Sequence, residues 1–249
     1  MGGGYFVRHA SLPAQLAWEA FGLGNGVPDY ATLKRRVEQY RKVAIRGDPE
    51  IGCNVLNDPF FLEERDWIPV PAGWAKNIVR GRSYDDDEQE GSALLNAVIA
   101  RARQPAAAAL TSEEPLRYGA EYLARARLGQ GAFRVLVTEA YGRRCAITGE
   151  KTLPVLEAAH IKSYAELGPH QVPNGILLRS DLHKLLDTGY LTVTSGLRVE
   201  VSHRLKADFE NGREYYRFHG ANLTVLPTKE IERPSPAFLQ WHNETVFLG

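Results

Sequence analysis

The apolar positions in the C-terminal half of the chain follow the order strand, loop, strand, helix. Residues 155–159 form an apolar run that predicts a strand, and residues 168–174 form a loop with two prolines. Residues 176–178 predict a second short strand, because they are continuously apolar. Residues 180–186 have helical spacing, so the pattern predicts a helix directly after the second strand.

The remaining pattern predicts several short helices and a few strands. Residues 51–61 predict a strand, and residues 191–194 and 197–201 predict a β-hairpin. Ser11 suits the N-cap of the first helix, and Pro13 suits its first turn. The predicted helices outside the segment described above lie at residues 12–21, 29–40, 91–103, 116–128, 133–141 and 238–247.

A change in composition predicts a domain boundary in the middle of the chain. Residues 104–115 contain four consecutive alanines and then Thr-Ser-Glu-Glu-Pro, which is typical of a linker. We therefore expect an N-terminal domain at residues 1–103 and a C-terminal domain at residues 116–249. The expected fold class is α+β.

Composition narrows the classes of function. The 249 residues carry 30 Lys and Arg against 30 Asp and Glu, so nucleic-acid binding by overall charge is excluded and a local patch is required. No apolar run reaches the roughly 20 residues of a membrane span, and no secretory leader is expected. The two cysteines, Cys53 and Cys145, make disulfides and a four-cysteine zinc site unlikely candidates and favour a reducing, cytoplasmic compartment.

One segment is locally basic. Residues 123–144 contain a single acid, Glu139, and five arginines, namely Arg125, Arg127, Arg134, Arg143 and Arg144. Such a cluster could contact DNA phosphates. The alternative is a solvated helix face, which is the commoner origin of a charge run.

Three polar residues stand at the ends of the predicted elements. His160 ends the first strand, Asn174 opens the second, and His183 lies in the following helix. A neutral histidine can take a proton from an attacking water, and a second histidine can bind a cation beside the leaving oxygen. This set suits phosphodiester hydrolysis, although the spacing alone is equally compatible with core or surface histidines.

The same residues carry a family resemblance. The sequences RCAITG at 144–149, AAHI at 158–161 and NGILLRSDLHKLLDTG at 174–189 resemble HNH nucleases with the ββα-metal fold. Within that family, they are similar to the branch found in modification-dependent restriction enzymes. The segment GQGAFR at 129–134 resembles the first helix of that branch.

The resemblance implies a role for each residue. His160 is expected to be the general base, Asn174 to order the loop between the strands, and His183 to bind Mg²⁺ or Mn²⁺. Many HNH sites have an acidic metal ligand directly before the first histidine, where this chain has Ala159. The second ligand is therefore open between Asp187 and Asp181, the alternative for both being a helix-capping or solvent-facing carboxylate.

Two further expectations concern residues outside this set. No structural zinc is expected, because only Cys145 lies where many relatives carry a CxxC pair. His170, in the loop before the second strand, could approach the phosphate.

The N-terminal half resembles a PUA-like module related to the SRA and EVE readers of modified bases. The similar segments include SLP at 11–13, AWEAFG at 17–22, IGC at 51–53 and WIP at 67–69. The resemblance implies a mixed, β-rich module in which Trp18 and Trp67 could stack on a flipped base, although aromatics are more often core residues. Relatives extend further before Gly3, so the chain is expected to begin partway through this module.

These features support three hypotheses for function. The first is an HNH endonuclease that hydrolyses double-stranded DNA in a restriction system directed at modified DNA. The second is a catalytically decayed nucleic-acid-binding protein, suggested by Ala159. The third is a hydrolase with Cys145 as nucleophile, for which no activating partner is evident. A homodimer would suit the cutting of both strands, and no sequence feature decides it.

Overall fold

The computed structural model describes residues 2–75, 77–78, 81–102 and 129–249. These residues form two compact units: residues 2–6 with 56–102, and residues 7–55 with 129–249. The predicted linker at 104–115 and the predicted helix at 116–128 lie outside the described residues. The predicted domain division at this linker therefore stays a prediction.

The N-terminal segment contains helices as well as a small sheet. Strands β1 (Gly2–Pro13) and β2 (Glu50–Phe61) form a two-stranded sheet. The α-helices of this segment, within the described residues, are α1 (Ala14–Phe21), α2 (Tyr30–Arg41) and α3 (Gln89–Ala102). The described part is thus more helical than the expected β-rich module, and the PUA-like resemblance is not confirmed.

The first helix begins later than the pattern predicted. Ser11 is part of strand β1 rather than an N-cap, and Pro13 has the extended angles φ −53° and ψ 135°. The helix therefore starts at Ala14, because a residue with that ψ belongs to the strand. Helix α2 follows the prediction closely, and the Asp29 side chain caps it by accepting a 2.7 Å hydrogen bond from the Thr32 backbone N–H.

The C-terminal half follows the predicted strand, loop, strand, helix order. Helix α4 (Gln130–Ala140) precedes β3 (Leu156–His160), which pairs antiparallel with β4 (Gly175–Arg179). Helix α5 (Ser180–Asp187) begins directly after β4 and packs against both strands. The remaining strands and α-helices of the described residues are β5 (Leu191–Val193), β6 (Val199–Val201), α6 (Arg204–Phe209), α7 (Arg213–Tyr216) and α8 (Pro236–Thr245). The predicted hairpin is confirmed, since β5 and β6 pair antiparallel.

The core of this half lies between helix α4 and the β3–β4 pair. Strand β4 is buried from Gly175 to Leu178, and Phe133 and Val137 of α4 pack over it. A Cβ atom at Gly175 would meet the Val137 side chain and lie 3.0 Å from the Phe133 ring. Glycine is therefore required where the helix crosses the strand, next to the loop that carries Asn174.

Residues 7–55 pack against helix α4 within the same compact unit. Leu12, Leu16 and Ala17 share a buried cluster with Val135 and Leu136 of α4. This burial removes apolar surface from water and orients the helix that covers the β3–β4 pair. Within the described part of the chain, no helix is both long and apolar enough to cross a bilayer.

Candidate active site

The β3–β4 pairing brings two of the expected residues to one end of the sheet. His160 is the last residue of β3 and pairs with Gly175, the first residue of β4. Asn174 therefore lies beside His160, although 13 residues separate them along the chain. Helix α5 then returns over β3 and brings His183 to the same pocket.

Asn174 is fully buried and holds the loop between the strands. Its Nδ2 donates hydrogen bonds of 2.9 Å to the carbonyl oxygens of Lys162 and Pro169. Its Oδ1 accepts a hydrogen bond of 2.9 Å from the Lys162 N–H. The Asn174 backbone carbonyl also accepts from the Ile161 N–H at 2.9 Å. The loop is thus fastened immediately after His160 by one amide side chain and its backbone.

His160 is held between a ring and a second histidine. Its imidazole stacks on Phe133, with centroids 3.9 Å apart and planes at 10°, and its Nε2 lies 2.9 Å from Nδ1 of His170. Burial, followed by the nearby charges of His170 and His183, lowers the pKa of His160 to about 4. The ring is therefore neutral at neutral pH, which is the state that a general base requires.

His183 lies between two carboxylates. Its Nδ1 is 2.6 Å from Oε2 of Glu157 on β3, and its Nε2 is 3.3 Å from Oδ2 of Asp187. Burial lowers the pKa of His183, but hydrogen bonds to Asp187 and Glu157 outweigh it and raise the pKa above its ordinary value. Glu157 was not predicted as a site residue, although it is the one charged residue of strand β3.

The two candidate acidic ligands differ in their surroundings. Asp181 receives two hydrogen bonds from Arg179, from Nε at 2.7 Å and from Nη2 at 2.6 Å. The Arg179 hydrogen bond holds the pKa of Asp181 below its usual range. Asp187 instead lines the pocket together with His183, so the geometry favours Asp187 as the carboxylate partner of His183.

The donor types around His183 fit a hard divalent cation. Ligands in adjacent positions of an octahedral Mg²⁺ or Mn²⁺ site lie roughly 3 Å apart, given bonds of about 2.1 Å. The separation of 3.3 Å between His183 Nε2 and Asp187 Oδ2 is close to this value. No group of three or more His, Cys, Asp or Glu side chains among the described residues is arranged to hold a metal ion. The protein thus offers one nitrogen and one oxygen, and the other positions would fall to water and phosphate.

A pocket of about 650 Å³ contains the two histidines. Helix α8 and the loop after β3 form its other walls, and Lys162 Nζ lies 5.3 Å from the centroid of the Trp241 ring. The pocket-lining residues that bear on chemistry are His160, Tyr164, Glu166, His183, Asp187 and Trp241.

Three of the five expected DNA-binding arginines lie within the described residues. Arg134 contacts Glu19 at 2.6 Å, and Arg143 contacts Glu50 at 2.5 Å and Glu139 at 2.9 Å. Arg143 has Nε, Nη1 and Nη2 on carboxylates, so a phosphate contact by Arg143 requires an ion pair to open, whereas Arg134 uses only Nη2. Arg144 has a buried Nε with no hydrogen-bond partner among the described residues. Arg125 and Arg127 lie outside them.

The two expected base-stacking tryptophans have different surroundings. Trp18 is partly buried and packs against the cluster of Ala14, Val27 and Leu33. Trp67 is 49% exposed, and its Nε1 donates to the Leu62 carbonyl at 3.2 Å. They belong to separate compact units, and base recognition by either residue stays a prediction.

Comparison with known families supports an HNH domain. The family model for HNH endonucleases matches residues 145–194, a span that includes His160, Asn174 and His183. The chain therefore has an HNH domain in its C-terminal half, within a mixed α/β protein, and the family points to a nuclease acting on DNA. No curated protein matches the chain.

Proposed function

We propose that this protein is a metal-dependent HNH endonuclease that hydrolyses phosphodiester bonds of double-stranded DNA. One observation carries the proposal: a neutral His160 shares a pocket with His183 and Asp187, which have the donor types for a divalent cation. The family match over residues 145–194 supports the same reaction class.

His160 acts as the general base in this mechanism. Its Nε2 is engaged with His170, so Nδ1 is the nitrogen that accepts a proton from the attacking water. The water oxygen forms a new bond to phosphorus, and one P–O ester bond breaks. Asn174 acts indirectly, because it fixes the loop that directly follows the base.

His183 and Asp187 would hold Mg²⁺ or Mn²⁺ in this mechanism. The cation, when bound, supplies positive charge beside the phosphate and the leaving oxygen. Glu157 accepts a hydrogen bond from Nδ1–H of His183, so Nε2, which lies 3.3 Å from the Asp187 carboxylate, is the nitrogen that would bind the cation. We assign Glu157 as the residue that orients this ligand, and we do not assign Asp181 to the metal, because Arg179 binds it.

We also propose that the protein acts in a restriction system directed at modified DNA. We infer that residues 1–103 recognise modified DNA, with Trp18 and Trp67 as base-stacking residues, and that residues 104–115 link them to a nuclease domain at 116–249. The support is the resemblance of the N-terminal segments to PUA-like readers. A cytoplasmic location and a homodimer that cuts both strands complete this hypothesis, and the two free cysteines are in keeping with the former.

A catalytically decayed nucleic-acid-binding protein is the second candidate. It is favoured by Ala159 in place of an acidic ligand, and by the lack of a three-residue donor group among the described residues. The two candidates differ in metal binding. Under the nuclease proposal, Mn²⁺ binds in calorimetry to the wild type and weakly to His183→Ala, whereas the control His203→Ala, an exposed histidine, binds as the wild type does.

Cleavage of plasmids tests the activity and its specificity together. Purified protein is incubated with unmodified and cytosine-modified supercoiled plasmid in Mg²⁺, Mn²⁺ or EDTA. We expect nicked and linear products only with a divalent cation, and faster cleavage of the modified plasmid. Equal rates on both plasmids would refute the restriction role, and cleavage of neither, together with no Mn²⁺ binding, would favour the decayed protein.

A further inference from the structure

A second histidine is hydrogen-bonded to the general base. His170 lies in the loop between β3 and β4, and its Nδ1 is 2.9 Å from Nε2 of His160. The two rings meet edge to face, with centroids 4.9 Å apart and planes at 61°. This geometry directs the His170 nitrogen at the edge of the His160 ring.

Both rings are held in place by other aromatic side chains. Phe133 stacks on His160, and Tyr164 stacks on His170 with centroids 4.7 Å apart and planes at 11°. The Asn174 side chain holds the same loop in place, because it accepts a hydrogen bond from the Lys162 N–H and donates one to the Pro169 carbonyl oxygen. The positions of both histidine rings are therefore fixed by side chains from the first helix of the domain, from the loop and from its end.

Proton counting limits the tautomers that are compatible with catalysis. A hydrogen bond between two ring nitrogens has one hydrogen, so one nitrogen donates and the other accepts. If His170 donated, His160 would accept at Nε2 and, when neutral, would have its own hydrogen on Nδ1. That tautomer has no lone pair left to take a proton from water. Only Nε2–H of His160, donating to Nδ1 of His170, leaves Nδ1 of His160 with a lone pair that can take a proton.

The surroundings of the two rings favour this arrangement. Burial lowers the pKa of both His160 and His170, and this favours the neutral form of each ring. Within the described residues, Nδ1 of His160 has no hydrogen-bond partner, and the ring lines the pocket. His170 is only partly buried, so its own Nε2–H can be solvated.

We propose that His170 is a positioning residue, whose Nδ1 accepts the Nε2–H of His160 and holds the general base in its productive tautomer. This inference rests on the proposed nuclease function, since it takes His160 as the base. In many catalytic sites the second ring nitrogen of the histidine donates its hydrogen to a carboxylate or a carbonyl oxygen, and here His170 is the acceptor. It orients the base without adding a negative charge to the pocket.

Three substitutions at one position separate hydrogen bonding from packing. In His170→Asn, Oδ1 stands where Nδ1 of the histidine stood, because both atoms are bonded to Cγ, so the acceptor is kept. His170→Phe keeps a ring for Tyr164 to stack on but has no acceptor. His170→Ala removes both features. We expect kcat of the Asn variant to stay within about threefold of the wild type, and kcat of the Phe and Ala variants to fall about 10- to 100-fold with little change in KM.

The tautomer itself can be measured without DNA or metal. Long-range ¹H–¹⁵N correlation spectra of the full chain report which ring nitrogen of His160 has the hydrogen. We expect the Nε2–H form in the wild type and in His170→Asn, and a mixture of tautomers in His170→Phe and His170→Ala. A wild-type His160 protonated at Nδ1 would overturn the proposal, and so would a Phe variant with the kcat of the wild type.

The two measurements also separate this inference from the proposed function. A wild-type protein that cleaves no DNA would refute the nuclease proposal, and the tautomer of His160 would then have no role in catalysis. The spectra would still decide whether His170 sets the tautomer of His160. Cleavage with unchanged tautomers in all variants would leave the nuclease proposal standing and refute the positioning role.

Discussion

Replacing Asn174 with alanine should loosen the loop on which the catalytic pocket depends. The side chain is fully buried and makes three hydrogen bonds, to the N–H and carbonyl of Lys162 and to the carbonyl of Pro169. Each bond contributes about 1 kcal/mol net, and a buried group left unsatisfied costs about 1–3 kcal/mol. We therefore expect Asn174→Ala to lower the free energy of unfolding by about 3 kcal/mol.

Substitution of Asn174 by aspartate keeps the shape of the side chain and removes its hydrogen-bond donor. Asn174→Asp keeps an acceptor for the Lys162 N–H but places a carboxylate oxygen against two carbonyl oxygens. Desolvation and this repulsion raise the folded-state pKa of the new carboxyl above its unfolded value of about 3.9. The protonated form is then favoured in the folded state, so the variant should be most stable below the unfolded pKa. The contribution of this carboxyl group to the free energy of unfolding is lost as pH rises through the folded-state pKa.

Equilibrium urea unfolding, with hydrogen exchange of residues 161–174, measures both effects. The matched control is Asn222→Ala, since that asparagine is exposed, and a change within about 0.5 kcal/mol is expected there. A loss below about 0.5 kcal/mol for Asn174→Ala would contradict the reasoning, because the three bonds would then contribute nothing measurable. The same would hold if hydrogen exchange at the Lys162 amide stayed as slow as in the wild type.

Three further predictions concern the reacting groups. Glu157→Gln should weaken Mn²⁺ binding about 10- to 100-fold in calorimetry, because the hydrogen bond that orients His183 loses its charge, and an unchanged affinity would refute this role. Asp187→Asn should weaken Mn²⁺ binding while Asp181→Asn leaves it unchanged, and the reverse order would reassign the ligand. At saturating Mn²⁺, kcat/KM should stay constant as pH is lowered through about 6.5, the ordinary pKa of a histidine. The pKa of His160 is about 4, so the base is protonated and inactive only below that value. A tenfold loss between about pH 7 and pH 6 would contradict a neutral base.

The local order of elements could be predicted from the sequence. His160, Asn174 and His183 follow one another in a strand, loop, strand and helix whose apolar pattern is continuous. Antiparallel pairing places the end of β3 beside the start of β4, and the helix that directly follows β4 packs against the same two strands. The prediction succeeded there because each contact is between neighbouring elements.

Contacts that depend on distant packing could not be predicted in the same way. Glu157 contacts His183 across 26 residues and Arg143 contacts Glu50 across 93, so neither pair follows from the local sequence pattern. A charge pattern cannot show which arginine has a carboxylate partner. The sequence also left Asp181 and Asp187 equivalent, and the side chain of Arg179 distinguishes them in the folded chain.

The N-terminal half shows the opposite outcome. Its resemblance predicted a β-rich reader, whereas the described residues have one two-stranded sheet and three helices. Residues 7–55 pack with helix α4 in one unit, through a cluster that includes Leu12 and Val135. Aromatic and apolar residues in this half have the same spacing whether they line a pocket or pack against a neighbouring helix, so their pattern could not decide between the two.

The most direct test of the central claim is the single-turnover rate of plasmid cleavage by the wild type and by His160→Ala. Both proteins are measured in Mg²⁺ or Mn²⁺ and in EDTA, with His203→Ala as a control at an exposed histidine. We expect cation-dependent cleavage by the wild type and the control, and a loss of about 100-fold or more in His160→Ala. Cleavage by His160→Ala at the rate of the wild type, or equal cleavage in EDTA, would contradict it.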